Sequence, residues 1–142
     1  VNKFAQIYPL NQGKNALGPA IGRYPEDRYD GAEFHGGNPW VLITAAFARY
    51  SYLVAGEFYR SGDQRQGDEF FKKGEEFLER VKYHTNADGS LSEQIDRRTG
   101  FMVSAENLTW SYVELLEAAW SRQSLLKNFP SISQRLLTVR NK

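Results

Sequence analysis

Apolar and polar positions along the 142-residue chain fall into three long helical patterns separated by irregular, glycine-rich stretches. From Asn38 to about Tyr59 the apolar residues surround the axis: Trp40, Val41, Leu42, Ile43, Phe47, Tyr50, Leu53 and Val54, with the alanines between them, leave no polar stripe. A helix apolar on every side is a buried one. Asn38 suits its N-cap and Pro39 its first turn, because proline has no amide hydrogen to leave unsatisfied there. After the break Ser61-Gly62-Asp63, a second helix is predicted from about Gln66 to Tyr83, with Phe70, Phe71, Gly74, Phe77, Leu78 and Val81 on one face and charges elsewhere. A third runs from near Ser104 to about Leu126, with Leu108, Tyr112, Leu115, Leu116, Ala119 and Trp120 at helical spacing and Trp120 assigned to the core. Pro130 starts a short last helix carrying Ile132, Leu136 and Leu137. Ahead of these, Val1 to Ala20 reads as a lead-in, a short extended piece at Ile7-Tyr8-Pro9-Leu10 followed by a polar turn. Together these patterns predict an all-α domain.

Composition narrows the function classes. A length of 142 residues with 41% hydrophobic and 25% charged residues suits one soluble globular domain. A net charge of +1, with basic residues scattered among acidic ones, provides no field to gather nucleic acid or anionic lipid. No apolar run reaches membrane-spanning length, and no basic-then-apolar leader opens the chain, so Val1 is expected to lie inside a longer protein. The absence of cysteine removes disulfides and thiolate chemistry. His35 and His84 have no ligand-like spacing, so neither a metal nor a cofactor is expected. Aromatic content of 14% suits stacking on a neutral sugar polymer, although it equally suits a core.

Two stretches carry candidate chemistry. Gly22 to Gly37 is long, irregular and dense in Gly, Asp and Glu, which reads as the wall of a binding site. Gly89 to Tyr112 sets one carboxylate, Glu93, in a loop between helical patterns and follows it with Ser104, Glu106, Asn107 and Trp110. A loop glutamate held between rigid helices, with a hydroxyl and an indole nearby, can activate a water molecule. The same residue types also serve as ordinary turn and cap chemistry.

Four runs of sequence carry a family resemblance: Gly22-Arg23-Tyr24-Pro25-Glu26-Asp27, Gly37-Asn38-Pro39-Trp40, Ser92-Glu93-Gln94 and Leu108-Thr109-Trp110-Ser111-Tyr112. In this order and spacing the chain resembles the glucoamylases, inverting glycoside hydrolases of family 15, from about Ala20 to Ser121 and most closely the fungal and yeast members. The resemblance implies part of an (α/α)6 toroid, roughly its C-terminal third, so that residues 1–142 form one incomplete domain. It implies release of glucose from the non-reducing ends of α-1,4-glucans such as starch, glycogen and maltooligosaccharides. Glu93 then takes the role of general base, and Ser104 that of the serine hydrogen-bonded to it. A donor of this kind favours the ionised form of a carboxylate; Ser104 also reads as a helix cap.

By the same resemblance Arg23 binds sugar hydroxyls near the scissile bond, and Glu26 and Asp27 orient Arg23 or touch the next sugar. Arg23 otherwise reads as half of an ion pair with Glu26 or Asp27. Tyr29, Trp40 and Trp110 are walls of the pocket, with core packing as the alternative for the two tryptophans. The chain departs from the usual fungal pattern by inserting residues between Asp30 and Gly36, which leaves the position of Tyr29 open. Nothing in the chain matches the family's general acid, so the missing N-terminal part of the same domain is the expected partner and the chain alone is expected to be inactive. The resemblance implies a secreted or vacuolar location. The rival readings are a non-catalytic regulatory or glucan-binding domain of the same type, and a helical module that binds another protein.

Overall fold

The structure, a computed structural model, describes residues 1–12 and 17–140, the last five of these by their backbone alone. Five helices carry the fold: α1 (Asn2–Ile7), α2 (Val41–Arg60), α3 (Gln64–His84), α4 (Thr109–Asn128) and α5 (Ser131–Arg140). A two-stranded ribbon, β1 (Gln94–Ile95) against β2 (Met102–Val103), lies between α3 and α4. Along α2 the partners on α3 descend, with Phe47 against Phe77, Tyr52 against Phe71 and Tyr59 hydrogen-bonded to Asp68, so the two helices are antiparallel. On α4 they ascend: Arg49 pairs with Glu114 and Glu117, and Gly56 meets Leu125. Hence α2 and α4 run in the same direction with α3 returning beside them, the arrangement of two helical layers.

The predicted stripe of α3 is the one it buries, through Phe71, Gly74, Phe77 and Val81. Asp63 starts this helix, its carboxylate accepting from the Gln66 amide at 3.0 Å. Burying such side chains contributes roughly 1.5–3 kcal/mol apiece relative to exposure. The close approach of α2 and α3 depends on Gly74, where a methyl group would stand 2.5 Å from the Tyr52 ring. That ring cannot step aside freely, because its hydroxyl donates to Glu75 at 2.5 Å and Glu75 also accepts two hydrogen bonds from Arg122 of α4.

Five expectations are corrected. Residues 1–12 are not a lead-in: Phe4 and Tyr8 are buried and stacked, and the Asn11 side chain bonds the backbone of Phe4 and Ala20. Arg80 of α3 ties the segment down, donating to the Leu10 carbonyl at 3.5 Å and to the Gly18 carbonyl at 2.6 Å; at 3.4 Å it also donates to Nε2 of buried His84, whose Nδ1 donates to the Gly100 carbonyl. This pattern suits the neutral imidazole, whose ionisation is pushed down by burial and by the Arg80 charge. Helix α2 begins after Trp40, so Asn38 is no N-cap, and Tyr50 and Leu53 of α2 are exposed, so its surface is not covered all round. Helix α4 begins at Thr109, because Ser104 and Asn107 adopt left-handed backbone conformations that a helix cannot include. Trp120 is 71% exposed and belongs to no core. Ile132 of α5 is buried as expected, whereas the side chains of Leu136 and Leu137 lie outside the described residues.

Gly74→Ala tests the helix contact. On propensity alone alanine would stabilise α3 by about 1 kcal/mol. The blocked methyl reverses the sign, and a net loss of about 1–3 kcal/mol is expected in urea unfolding. A gain would mean that the two helices do not meet at this glycine.

Candidate active site

Backbone pairing brings the two chemically loaded stretches together. The Trp40 amide donates to the Ile21 carbonyl at 2.8 Å, the Val41 amide to Glu93 at 3.0 Å and the Ile95 amide to Pro39 at 2.9 Å. Trp40 thus bridges Gln94 in antiparallel fashion, as a third strand beside the ribbon. This competition explains the late start of α2: residues 38–40 are extended because their backbone groups are used sideways. On the far side the Glu93 amide donates to the Ala105 carbonyl at 2.9 Å. The Asn38 side chain joins the parts, donating to the Asp30 carbonyl and to Gln94 Oε1 while its oxygen accepts from the Arg97 amide.

Within this frame the Ser104 hydroxyl donates to Oε2 of Glu93, and the Glu93 side chain is half-buried. Arg23 grips Asp27 with two parallel hydrogen bonds, Nε to Oδ2 at 2.6 Å and a terminal nitrogen to Oδ1 at 2.7 Å. The guanidinium also lies over the rings of Trp40 at 4.9 Å, Tyr29 at 5.3 Å and Tyr24 at 5.8 Å. Hydrogen bonding to Arg23 holds the Asp27 carboxyl below the usual carboxylate range, helped by the Tyr29 amide. Asp27 in turn pushes the Arg23 ionisation up, and the Glu93 carboxylate adds to this, so the candidate base and the arginine share one electrostatic neighbourhood. A half-buried carboxylate, an anchored cation with spare donors and two flat rings are what a polyhydroxylated ring with apolar C–H faces would meet.

The expected site residues separate into two groups. Glu93, Ser104, Arg23, Asp27, Tyr29 and Trp40 converge, and Tyr29, whose position was open, lies 6.3 Å from Trp40 ring to ring. The ion-pair reading of Arg23 holds, with Asp27 as the partner that fixes its guanidinium. Glu26 is exposed and makes no ion pair or hydrogen bond among the described residues. Trp110 is 60% exposed in the first turn of α4 and takes part in no ring pair there, so it is not core. Asn38, Gln94 and Gly31 were missed as site residues. The only signal for Gly31 was the turn-forming pair Asp30-Gly31. No group of residues that could hold a metal ion occurs among the described residues.

Residues 1–120 match the family profile described as glycosyl hydrolases family 15. The chain belongs to that family. It is 37% identical to a glucoamylase of Blastobotrys adeninivorans, covering 88% of this chain and 25% of that protein. It is 34% identical to the intracellular sporulation-specific glucoamylase of Saccharomyces cerevisiae, covering 86% and 30%. Among solved structures, the glucoamylase of Saccharomycopsis fibuligera superposes with a TM-score of 0.77 at 31% identity, over 87% of this chain and 33% of the other. The glucoamylase of Hormoconis resinae gives 0.74 at 27%, over 85% and 25%. The helices described above are therefore part of the α/α toroid of family 15. This family 15 chain spans a quarter to a third of the length of these relatives.

The Arg23–Asp27 pair makes a pH-dependent contribution to stability. Folding lowers the Asp27 value, so the contribution is present above the ordinary carboxylate range and fades as pH falls through the depressed value. Asp27→Asn is expected to cost about 1 kcal/mol near pH 6, a figure discounted for the exposure of Arg23. The gap between variant and parent should close in urea unfolding as pH falls through the depressed Asp27 value, since both carboxamide and protonated acid are then neutral. A gap that does not change with pH would show that the pair does not couple to folding.

Proposed function

We propose that this chain supplies the general base of an inverting glucoamylase catalytic domain and forms its C-terminal part. The observation that carries the reading is the hydroxyl of Ser104 on the Glu93 carboxylate beside the Arg23, Tyr29 and Trp40 cluster. The substrate is an α-1,4-glucan or maltooligosaccharide cut from its non-reducing end to release glucose. Inversion needs two carboxyl groups about 6.5–9.5 Å apart, one on each face of the scissile bond. Glu93 takes a proton from the attacking water as its oxygen bonds to the anomeric carbon. The bond to the leaving oxygen breaks as that oxygen gains a proton from the acid, which the remainder of the domain provides. Ser104 stabilises the charged form of the base. Arg23, fixed by Asp27, donates to sugar hydroxyls, Tyr29, Trp40 and Trp110 offer their faces as walls of the pocket, and Glu26 touches the next sugar.

The partner in this reading is the rest of the same domain. Trp110, Val113, Leu116 and Trp120 form an exposed apolar stripe along α4, and Leu53 of α2, also exposed, lines a cavity with Trp120. Such a stripe on a helix already packed on its other side suits a second layer of helices. The relatives' three- to fourfold greater length is consistent with that layer.

In the complete domain, Glu93→Gln is expected to lower kcat by about 10²–10⁴-fold, the usual worth of a general base, with KM little changed. Near-normal turnover would refute the assignment. The 142-residue chain by itself is expected to release no glucose from maltose in a coupled glucose assay; measurable release would contradict the need for an acid from elsewhere.

A further inference from the structure

We propose that the loop of residues 30–36 is a positioning element for the Ser104–Glu93 pair, acting through Gly31; the proposal rests on the reading of Glu93 as the base. Gly31 has a φ of +95°, and a methyl group built on it would stand 2.6 Å from Ser104 Cβ and 2.7 Å from Ser104 Oγ. The loop backbone therefore lies flat against the serine, in a space only glycine can leave. Ser104 is itself a non-glycine residue at φ 71°. Such a conformation persists only where its surroundings over-determine it. Those surroundings are β2 immediately before it, the Ala105 carbonyl bonded to the Glu93 amide, and Gly31 close against the serine's Cβ and Oγ. With Gly31 limiting the room around Oγ, the hydroxyl stays on the Glu93 carboxylate.

The loop is built to hold this place. The Asp30 carboxylate accepts from the amides of Glu33 at 2.7 Å, Ala32 at 3.2 Å and His35 at 3.3 Å, and its own carbonyl accepts from Asn38. Those amide bonds hold the Asp30 carboxyl down at about 2, so the clamp stays closed through mildly acidic conditions. Arg97 bonds the Gly36 and Gly37 carbonyls at the other end. The contacts close into a ring: Glu93 to Ser104, Ser104 to Gly31, Asp30 to Asn38, and Asn38 to Gln94, the neighbour of Glu93. A ring fixes the hydroxyl from both directions, which a single hydrogen bond on a mobile loop would not.

The test compares Gly31→Ala with Gly62→Ala in the complete domain. Gly62 has the same left-handed backbone, φ +85°, with nothing within 4 Å, so it reports the backbone strain alone. Gly31→Ala is expected to lower kcat about tenfold with KM within about twofold, as the loss of one hydrogen bond to a charged group would do. Ser104→Ala should give a similar loss, and the double variant Gly31→Ala/Ser104→Ala no more than either alone, because both act through one contact. Gly62→Ala should lower Tm and leave kcat unchanged. Losses that multiply in the double variant, or a Gly31→Ala enzyme that loses Tm but keeps kcat, would overturn the proposal. Two further measurements separate its failure from that of the base assignment. Near-normal turnover in Glu93→Gln sinks the base reading itself. In NMR spectra of the 142-residue chain, the Ser104 Hβ signals should shift in Gly31→Ala and not in Gly62→Ala; unmoved signals would remove the contact on which the positioning depends.

Discussion

The site depends on a short run of sideways backbone hydrogen bonds. Residues 39–41 pair with 93–95, and 93–95 with the 102–105 segment, in a domain otherwise built mainly from helices packed through their side chains. Helix packing tolerates sliding of an ångström or so along the groove, whereas a β ladder fixes register residue by residue. A carboxylate that must meet a hydroxyl from another loop needs the second kind of control. The ribbon is only two residues long in each strand, and its register, Gln94 with Val103, sets Ser104 against Glu93.

Around that ladder polar side chains substitute for missing backbone partners. Asn38 links Asp30, Gln94 and Arg97, and Asn11 does the same for Phe4 and Ala20. An amide side chain carries both a donor and an acceptor, so it can close an irregular chain segment as another strand would. Irregular loops that bind ligands need such anchors, since unsatisfied buried backbone groups cost about 1–3 kcal/mol each. The loops of this site are consequently shaped by specific side chains and not by loop length.

Charge is handled differently at Arg23 and Arg80. Near the site, Arg23 is paired with Asp27 and stays partly exposed, which leaves donors free for a ligand. Deeper, Arg80 has no carboxylate partner among the described residues and spends its donors on the Gly18 carbonyl and His84. The first arrangement suits recognition, and the second fastens the N-terminal segment to α3. Family 15 membership and the exposed stripe of α4 then give one account of the chain's surface, because a toroid built from two helical layers leaves apolar faces wherever its neighbours are not counted.

The all-α class, the buried stripe of α3 and the identity of the site words could be read from residues alone, because helical periodicity and short motifs are local properties. The sequence words also contained Arg23, Asp27, Trp40 and Glu93, with Ser104 in the stretch between two of them. Local patterning misplaced the starts of α2 and α4, however, since Asn38-Pro39 resembles a cap and Ser104 resembles another. Pairing between Trp40 and Gln94, distant in the chain, drew the first segment out of helix, and pairing of Val103 with Gln94 and of Ala105 with Glu93 did the same for the second. Trp120 was misassigned for a related reason: helical spacing tells which residues share a face and not what covers it. Periodicity along one chain therefore determined the elements, while the juxtaposition of Gly31, Ser104 and Glu93 was decided only when distant backbone groups found each other in the tertiary structure.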